Sequence, residues 1–333
     1  PLREADQIAA ADIAGAEPDE LRAVCAVADR HEALPDAAAS GVGPEVKGGA
    51  ALLGAQANCP FQAVASFRLA ARPLDEPAFA VDGALAGRLV HALLQRVWQS
   101  LGDSAALAQL DRAALEARVE PLAAQTLADL GRRRPDLFTP RFRALEGARL
   151  VHQVCDWLEL ERERNAPFSV AALERDQVIT LGALRLTTRA DRVDRLADGS
   201  LVVIDYKTGR NVSTEGWFDE RVSEPQVPLY CVHAGDTISA ALLARVRRDG
   251  KGCRLVGLSR DPDFAPGVDT PGDTAAATDW QSLLAHWRHA LNGLAREISA
   301  GRADPTPSPQ ACGYCPFGAL CRVQEMLSGP DGD

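Results

Sequence analysis

The sequence predicts an α/β protein in which a largely helical first half precedes a sheet-forming second half. Apolar residues recur at helical spacing through much of residues 60–164. The pattern changes near Pro167, because residues 168–206 alternate and are rich in β-branched side chains, which is typical of strands. With 333 residues, of which 46% are hydrophobic, the chain is long enough for one large core or two ordinary ones.

The first half predicts a leader followed by helices. Residues 1–50 are rich in Ala, Gly, Asp and Pro, which predicts a poorly ordered segment with one helix near Asp19–His31. Further helices are predicted over 60–72, 84–101, about 106–129 and 140–164. We expect residues 51–166 to form a helical region that packs on the sheet.

The second half, residues 167–325, predicts a sheet with additional helices. In order, the predicted elements are three or four strands over 168–206 with turns at Leu181–Ala183 and Ala197–Ser200, a helix from about Glu224, a hairpin over 237–259 that turns at Asp249–Gly252, a loop over 261–277, a helix over about 279–300 and a loop-like tail.

Charge and motif content limit the function classes. The net charge of −10 disfavours a general nucleic-acid binder, yet an enzyme that cuts DNA needs basic residues only along one groove. No apolar run of about 20 residues predicts a membrane span, no signal peptide opens the chain, and no GxxxxGK[ST] phosphate loop occurs. We therefore expect a cytoplasmic protein, and the start at Pro1 suggests a piece of a larger one.

The stretch LVVIDYKTGR, residues 201–210, places ionisable groups at the end of a buried strand. Residues two apart share a face of a strand, so Asp205 and Lys207 point to one side and Tyr206 to the other. A turn centred on Asp198 would place position 191 opposite position 205. Two carboxylates would then be cross-strand neighbours, and Asp194, with the other parity, would face away.

Neighbouring carboxylates repel each other, and a divalent metal ion would neutralise them. Hard oxygen ligands suit Mg²⁺ or Mn²⁺, which can activate water and stabilise charge on a phosphoryl group. Lys207 would hold the attacking water or the scissile phosphate. The alternative is an Asp–Lys pair on a solvated strand end, and the residues alone leave both interpretations open.

The segment RADRVDRL…LVVIDYKTG resembles the nuclease core of the PD-(D/E)XK superfamily, in its RecB/AddB-type branch. The resemblance implies that Asp191 and Asp205 are the two acids and Lys207 the catalytic lysine. It also implies that the Tyr206 carbonyl ligates the metal. Glu174 lies at the start of the β region, where many relatives carry an acid, and is a candidate for a supporting role.

Two flanking motifs match the same branch. Gly87–His91 corresponds to a helical Gly-x-x-x-His whose histidine ligates a metal, and Gln226–Tyr230 corresponds to a Gln-x-x-x-Tyr pair that borders the active site. Each motif also has a simpler interpretation. His91 alone would be an ordinary helix histidine, and Gln226 would complete a capping box with Ser223, with Pro225 in the first helical turn.

The eight cysteines favour metal ligands or buried thiols over disulfides. The last three form a Cys-x2-Cys-x5-Cys run, which needs a fourth ligand to complete a tetrahedral site, and Cys59 is a candidate. In AddB-like nucleases one upstream and three downstream cysteines hold a [4Fe–4S] cluster, so the resemblance implies the ligands Cys59, Cys312, Cys315 and Cys321. Zinc or no metal are the alternatives. Core or incidental thiols are expected at Cys25, Cys155, Cys231 and Cys253.

Two basic clusters could contact phosphates, namely GRRRPD from Gly131 and RVRRDGKGCR from Arg245. A solvated helix end or hairpin tip explains each of them equally well. Nothing in the sequence indicates base-specific readout, so we expect backbone-directed binding to single-stranded DNA or frayed ends.

The motifs occur in family order over about residues 50–325. The resemblance therefore implies a restriction-endonuclease-like core with a helical N-terminal part and an iron–sulfur-stapled tail. The expected activity is Mg²⁺-dependent DNA hydrolysis, exonuclease rather than endonuclease, in end processing for recombinational repair. A helicase-like region upstream and a helicase–nuclease partner subunit would fit. The alternative is a catalytically silent DNA-binding or scaffold domain.

Overall fold

The computed structural model describes residues 43, 45–73, 81–132, 134–273 and 277–323, all within the unit Ser40–Asp333. Its helices are α1 (Gly49–Asn58), α2 (Pro60–Ala63), α3 (Gly83–Leu101), α4 (Ser104–Ala108), α5 (Arg112–Gly131), α6 (Pro140–Glu161), α7 (Gln226–Ala234), α8 (Trp280–Ala300), α9 (Pro309–Gly313) and α10 (Gly318–Cys321). Its strands are β1 (Phe168–Leu181), β2 (Leu184–Leu196), β3 (Leu201–Lys207), β4 (Ile238–Arg245), β5 (Arg254–Ser259) and β6 (Val268–Asp269). The predicted leader helix near Asp19–His31 lies outside the described residues, as does Cys25.

A mixed six-stranded sheet organises this part of the chain, with the strands in sequence order from β1 to β6. Strands β1, β2 and β3 pair antiparallel, whereas β3 and β4 are parallel. Parallel neighbours need a crossover connection, and α7 lies in that connection. The arrangement confirms the predicted α/β class and is consistent with a restriction-endonuclease-like core. No helix in the described ranges has the length and apolar character needed to cross a bilayer.

Both faces of the sheet are covered by helices. In β3, Val203 packs in the core that includes α1, α7 and α8, whereas Val202 and Ile204 pack in the core that includes α3, α5 and α6. A strand buried on both faces has a nearly continuous apolar sequence, which explains the run that begins at Leu201. The helices of residues 51–166 therefore divide between the two faces, with α1 on one and α3 to α6 on the other.

Local capping explains where the helices begin. Asp82 accepts the Leu85 N–H at the start of α3, and the capping box of Asp279 and Ser282 starts α8. The helix predicted over about 106–129 is divided, because the Asp111 carboxylate caps a new helix at α5.

The structure corrects three of the local predictions. The helix predicted over 60–72 leaves α-helical geometry after Ala63 and continues as a π-helical turn. The loop predicted over 261–277 contains the short strand β6. The predicted capping box of Ser223 and Gln226 is wrong, because the Ser223 hydroxyl donates to Asp219 and Pro225 occupies the position before α7 without a side-chain cap.

A buried charge network supports the sheet beneath β2 and β3. The Arg192 guanidinium, which is fully buried, donates to both oxygens of Asp194, to Glu161 and to the Tyr206 hydroxyl. Arg164 donates to the same Asp194 carboxylate at 2.6 Å. This confirms the prediction that Asp194 faces away from Asp205. Each buried charge has an opposite charge beside it, which burial in low dielectric requires.

Replacing Asp194 with Ala should cost about 3–5 kcal/mol of unfolding free energy, because it leaves two buried guanidinium groups short of a counter-charge. Urea denaturation followed by circular dichroism measures this loss. Asp136→Ala is the control, since it removes an exposed carboxylate paired with Arg134 and should move the urea midpoint little. An Asp194→Ala variant as stable as wild type would contradict this view of the network.

Candidate metal centre

The candidate site lies where β2 and β3 separate. The ladder between these strands pairs Val193 with Val203 and Arg192 with Ile204, which confirms the register predicted from the turn. Continued by one step, this register places Asp191 opposite Asp205. The Asp191 carboxylate instead accepts the Tyr206 N–H at 2.7 Å. The Asp191 side chain thus takes the place of the backbone carbonyl that would accept this N–H if the ladder continued. It is almost fully buried between the two strands.

Helix α3 brings a histidine to the same point. The His91 Nε2 atom donates to the Tyr206 carbonyl at 2.9 Å, and Nδ1 lies 3.4 Å from an Asp191 oxygen. Gly87 allows this close approach, since a Cβ there would lie 3.3 Å from the Thr208 hydroxyl oxygen. Helix α3 thus packs closely against the segment after β3 one turn before His91.

Strand β1 contributes a third potential ligand, Glu174. The residues before and after Glu174 in β1 pair with Arg192 and Ala190 of β2, so Glu174 itself lies opposite Asp191. Its φ of 44° lies in the left-handed region, which is uncommon for a residue with a side chain and costs free energy that the surrounding contacts must offset. A Glu174 oxygen lies 3.7 Å from His91 Nδ1. Within the described ranges, only the group of His91, Glu174 and Asp191 has metal-ligating atoms all within 4.8 Å of one another.

Asp205 and Lys207 form an ion pair beside this group. Asp205 is 3% exposed, and one of its oxygens lies 2.7 Å from Lys207 Nζ. The angles of this contact do not meet hydrogen-bond criteria, so the attraction is that of an ion pair. Burial and the negative charge of Asp191 raise the pKa of Asp205, although Lys207 opposes this. Burial alone would lower the pKa of Lys207, but Asp205 outweighs it and raises that pKa, so the ammonium stays charged at neutral pH.

His91 responds to the same excess of negative charge. Burial disfavours its charged form, but contacts with Asp191 and then Glu174 outweigh burial and raise the pKa of His91 to about 10. The acids therefore need a cation beside them, and a divalent ion would supply the same compensation more strongly. Carboxylate and carbonyl oxygens with one imidazole nitrogen form a mostly hard donor set that fits Mn²⁺ or Mg²⁺.

An open cavity of about 650 Å³ lies over the group. The predicted site residues that line it are His91, Asp205, Tyr206, Lys207 and Gln226, together with Glu174. Tyr230 does not line it, because its hydroxyl hydrogen-bonds the Thr188 hydroxyl at 3.1 Å in the core. The predicted pair of Gln226 and Tyr230 thus spans from the cavity into the protein interior.

The four predicted cluster cysteines line a separate cavity of about 310 Å³, at Cys59, Cys312, Cys315 and Cys321. Cys59 has extended backbone and precedes Pro60, the first residue of α2, and its sulfur accepts the Thr306 N–H at 3.3 Å. Burial raises the pKa of the Cys321 thiol, and the three other sulfurs raise it further. Residue 59 and the C-terminal tail are therefore in contact, whereas Cys155 and Cys231 are buried elsewhere in the core.

Comparison with known proteins identifies one family. A family model described as the PD-(D/E)XK nuclease superfamily matches residues 53–322. A solved structure described as "Crystal structure of SSO0001" is 14% identical over 72% of this chain and 84% of its own, with a TM-score of 0.30, and at that level it carries no argument about the site. None of the curated proteins matches the chain.

Replacing Glu174 with Gln or Asp191 with Asn should weaken Mn²⁺ binding by about tenfold or more, because each change removes a charged ligand from the compact group. Isothermal titration calorimetry without DNA measures the affinity directly. Asp176→Asn is the matched control, since Asp176 lies on the same strand but is exposed and paired with Arg189. Unchanged binding in Glu174→Gln, or an equal loss in the control, would contradict this ligand set.

Proposed function

Because the chain belongs to the PD-(D/E)XK nuclease superfamily, we propose that it is a divalent-metal-dependent deoxyribonuclease whose active site is the centre between β2 and β3. The observation that carries the proposal is the burial of two acids, Asp191 and Asp205, within reach of His91 and Lys207. Unlike the buried network around Asp194, this group lines an open cavity through Asp205 and Lys207, so a substrate can reach it.

The proposed ligands of the metal are His91, Asp191, Asp205, Glu174 and the Tyr206 carbonyl. His91 would bind as the neutral imidazole, so metal binding would release the proton that the neighbouring acids stabilise on it. The bound ion would polarise the scissile phosphate and increase the acidity of water. Lys207 keeps its proton at neutral pH, so it serves as a donor that orients the attacking water or stabilises charge on the phosphoryl oxygens. Gln226, at the cavity wall, would position the DNA strand, and Tyr230 supports Gln226 from the same helix.

The family order of the motifs supports a finer assignment. We propose a RecB/AddB-type nuclease with its core at 167–325 and a helical region at 51–166, acting as an exonuclease in DNA end processing during recombinational repair. Single-stranded or frayed DNA ends are the proposed substrate, and a helicase–nuclease subunit is the proposed partner.

We also propose that the cysteine cavity holds a [4Fe–4S] cluster. All four cysteines line the same cavity, so four thiolates from residue 59 and the C-terminal tail can reach one group. The match of these four positions to the one upstream and three downstream cysteines of AddB-like nucleases supports a cluster over zinc. Such a cluster would join the chain at residue 59 to residues 312–321, a long-range tie worth roughly 4–5 kcal/mol by analogy with a disulfide.

The wild-type protein should degrade end-labelled single-stranded DNA when Mg²⁺ or Mn²⁺ is added and should be inactive in EDTA. Lys207→Ala should slow cleavage by about a hundredfold or more, because it removes the charged donor beside the acids. Lys47→Ala is the matched control, since Lys47 is exposed and lies outside both basic clusters, and its rate should equal that of wild type. Gel electrophoresis of the products measures the rates.

The outcome separates the two function classes. A silent DNA-binding or scaffold domain would bind DNA without metal-dependent cleavage, or would cleave at the same trace rate in wild type and in Lys207→Ala. Either result would remove the proposed active site.

Anaerobically purified protein should be brown and carry about four iron atoms per chain with matching acid-labile sulfide. Cys315→Ala should lose the visible absorption and lower thermal stability, because the tail is then no longer tied to α2. Cys253→Ala is the control, as it removes a thiol that lies outside the cavity. A colourless wild-type protein that contains stoichiometric zinc would refute the iron–sulfur proposal.

A further inference from the structure

We propose that Arg88 anchors a non-scissile phosphate of the DNA strand and thereby sets the path by which the strand reaches the metal centre. The inference rests on the proposed nuclease function and adds a positioning residue to it. Its basis is the placement of Arg88 on α3, the absence of a carboxylate partner for Arg88 among the described residues and the acidic wall of the neighbouring cavity.

Helix α3 presents a single face to the active-site cavity. Ala84, Arg88, His91 and Gln95 all line it, at the spacing of successive helical turns. Residues three apart on a helix have Cβ atoms about 5–6 Å apart, so Arg88 lies one turn from the proposed ligand His91. Arg88 is exposed, and its side chain has no ion pair or hydrogen bond to any residue that the structure describes. An unpaired guanidinium at this distance is available to a phosphate.

More basic residues follow the same rim away from the centre. Leu130, near the end of α5, lines the cavity, and Arg132 and Arg134 come just after it. The Arg132 side chain is 73% exposed. Both groups are already paired with carboxylates, Arg132 with Asp129 and Arg134 with Asp136. Among the described arginines and lysines that line the cavity, Arg88 alone has no carboxylate partner.

The cavity on the other side of Lys207 has the opposite character. It measures about 590 Å³ and shares Lys207 with the active-site cavity. Its wall carries the three acids Glu215, Asp219 and Glu224. A polyanion is repelled there and attracted to the α3 side, so the strand enters along α3. Because the attraction is to phosphates alone, the contact carries no base preference.

The test measures binding and turnover separately. Arg88→Ala and Arg88→Lys are compared with Arg288→Ala, a control on α8, which packs on the other face of the sheet; Arg288 is also exposed and its side chain has no partner among the described residues. Fluorescence anisotropy gives the Kd for labelled single-stranded DNA over 50–200 mM salt, with Lys207→Ala as the background so that the DNA stays intact. Steady-state cleavage in the otherwise wild-type protein gives KM and kcat.

Arg88→Ala should raise both Kd and KM by about threefold or more and reduce the slope of log Kd against log salt by about 0.7, the value for one phosphate contact on a single strand. The kcat at saturating DNA should change less than twofold, and Arg88→Lys should recover most of the affinity. Arg288→Ala should match wild type in every measurement.

Unchanged Kd and salt slope in Arg88→Ala would overturn the inference, as would a loss that appears only in kcat. Because the anisotropy measurement needs no cleavage, it tests Arg88 even if the protein proves to be a silent DNA-binding domain. Loss of metal-dependent cleavage by wild type would refute the proposed nuclease alone, whereas an unaltered salt slope would refute the proposed phosphate anchor alone.

Discussion

The centre depends on the point at which β2 and β3 stop pairing. Asp191 can occupy the gap between the strands only because the ladder ends at Arg192 and Ile204 and its carboxylate accepts the next available N–H, that of Tyr206. One more ladder pair would turn this acid into an ordinary strand residue. The end of the ladder therefore buries Asp191 near a second buried acid, Asp205, whose pKa its negative charge raises, and nearby cations offset this repulsion.

Tyr206 connects the two sides of the sheet at this point. Its N–H donates to Asp191, its carbonyl accepts from His91, and its hydroxyl accepts from the buried Arg192. The metal centre and the charge network that contains Asp194 thus share one residue. The backbone of Tyr206 therefore links the buried charge network on one face of β3 to the metal centre on the other face. All three polar groups of Tyr206 are hydrogen-bonded, which explains why a tyrosine lies between Asp205 and Lys207.

Much of this arrangement is readable from the sequence, because it depends on parity and turn length. Those two rules give the β2–β3 register and the opposite directions of Asp205 and Asp194. The left-handed backbone of Glu174 is different, since it arises where β1 passes β2 and has no local sequence signal. The place of Tyr230 was also beyond reach, because helical spacing gives a shared face but not the depth at which Thr188 binds it. The failed capping box at Ser223 has a similar cause, namely a competing acid four residues earlier.

A crystal soaked in Mn²⁺ tests the central claim most directly, because anomalous scattering locates the ion without reference to activity. The account predicts one strong peak between Asp191, Asp205 and His91, with Lys207 released from its ion pair with Asp205. An empty centre at saturating Mn²⁺, with that ion pair intact and the peak elsewhere on the protein, would contradict it.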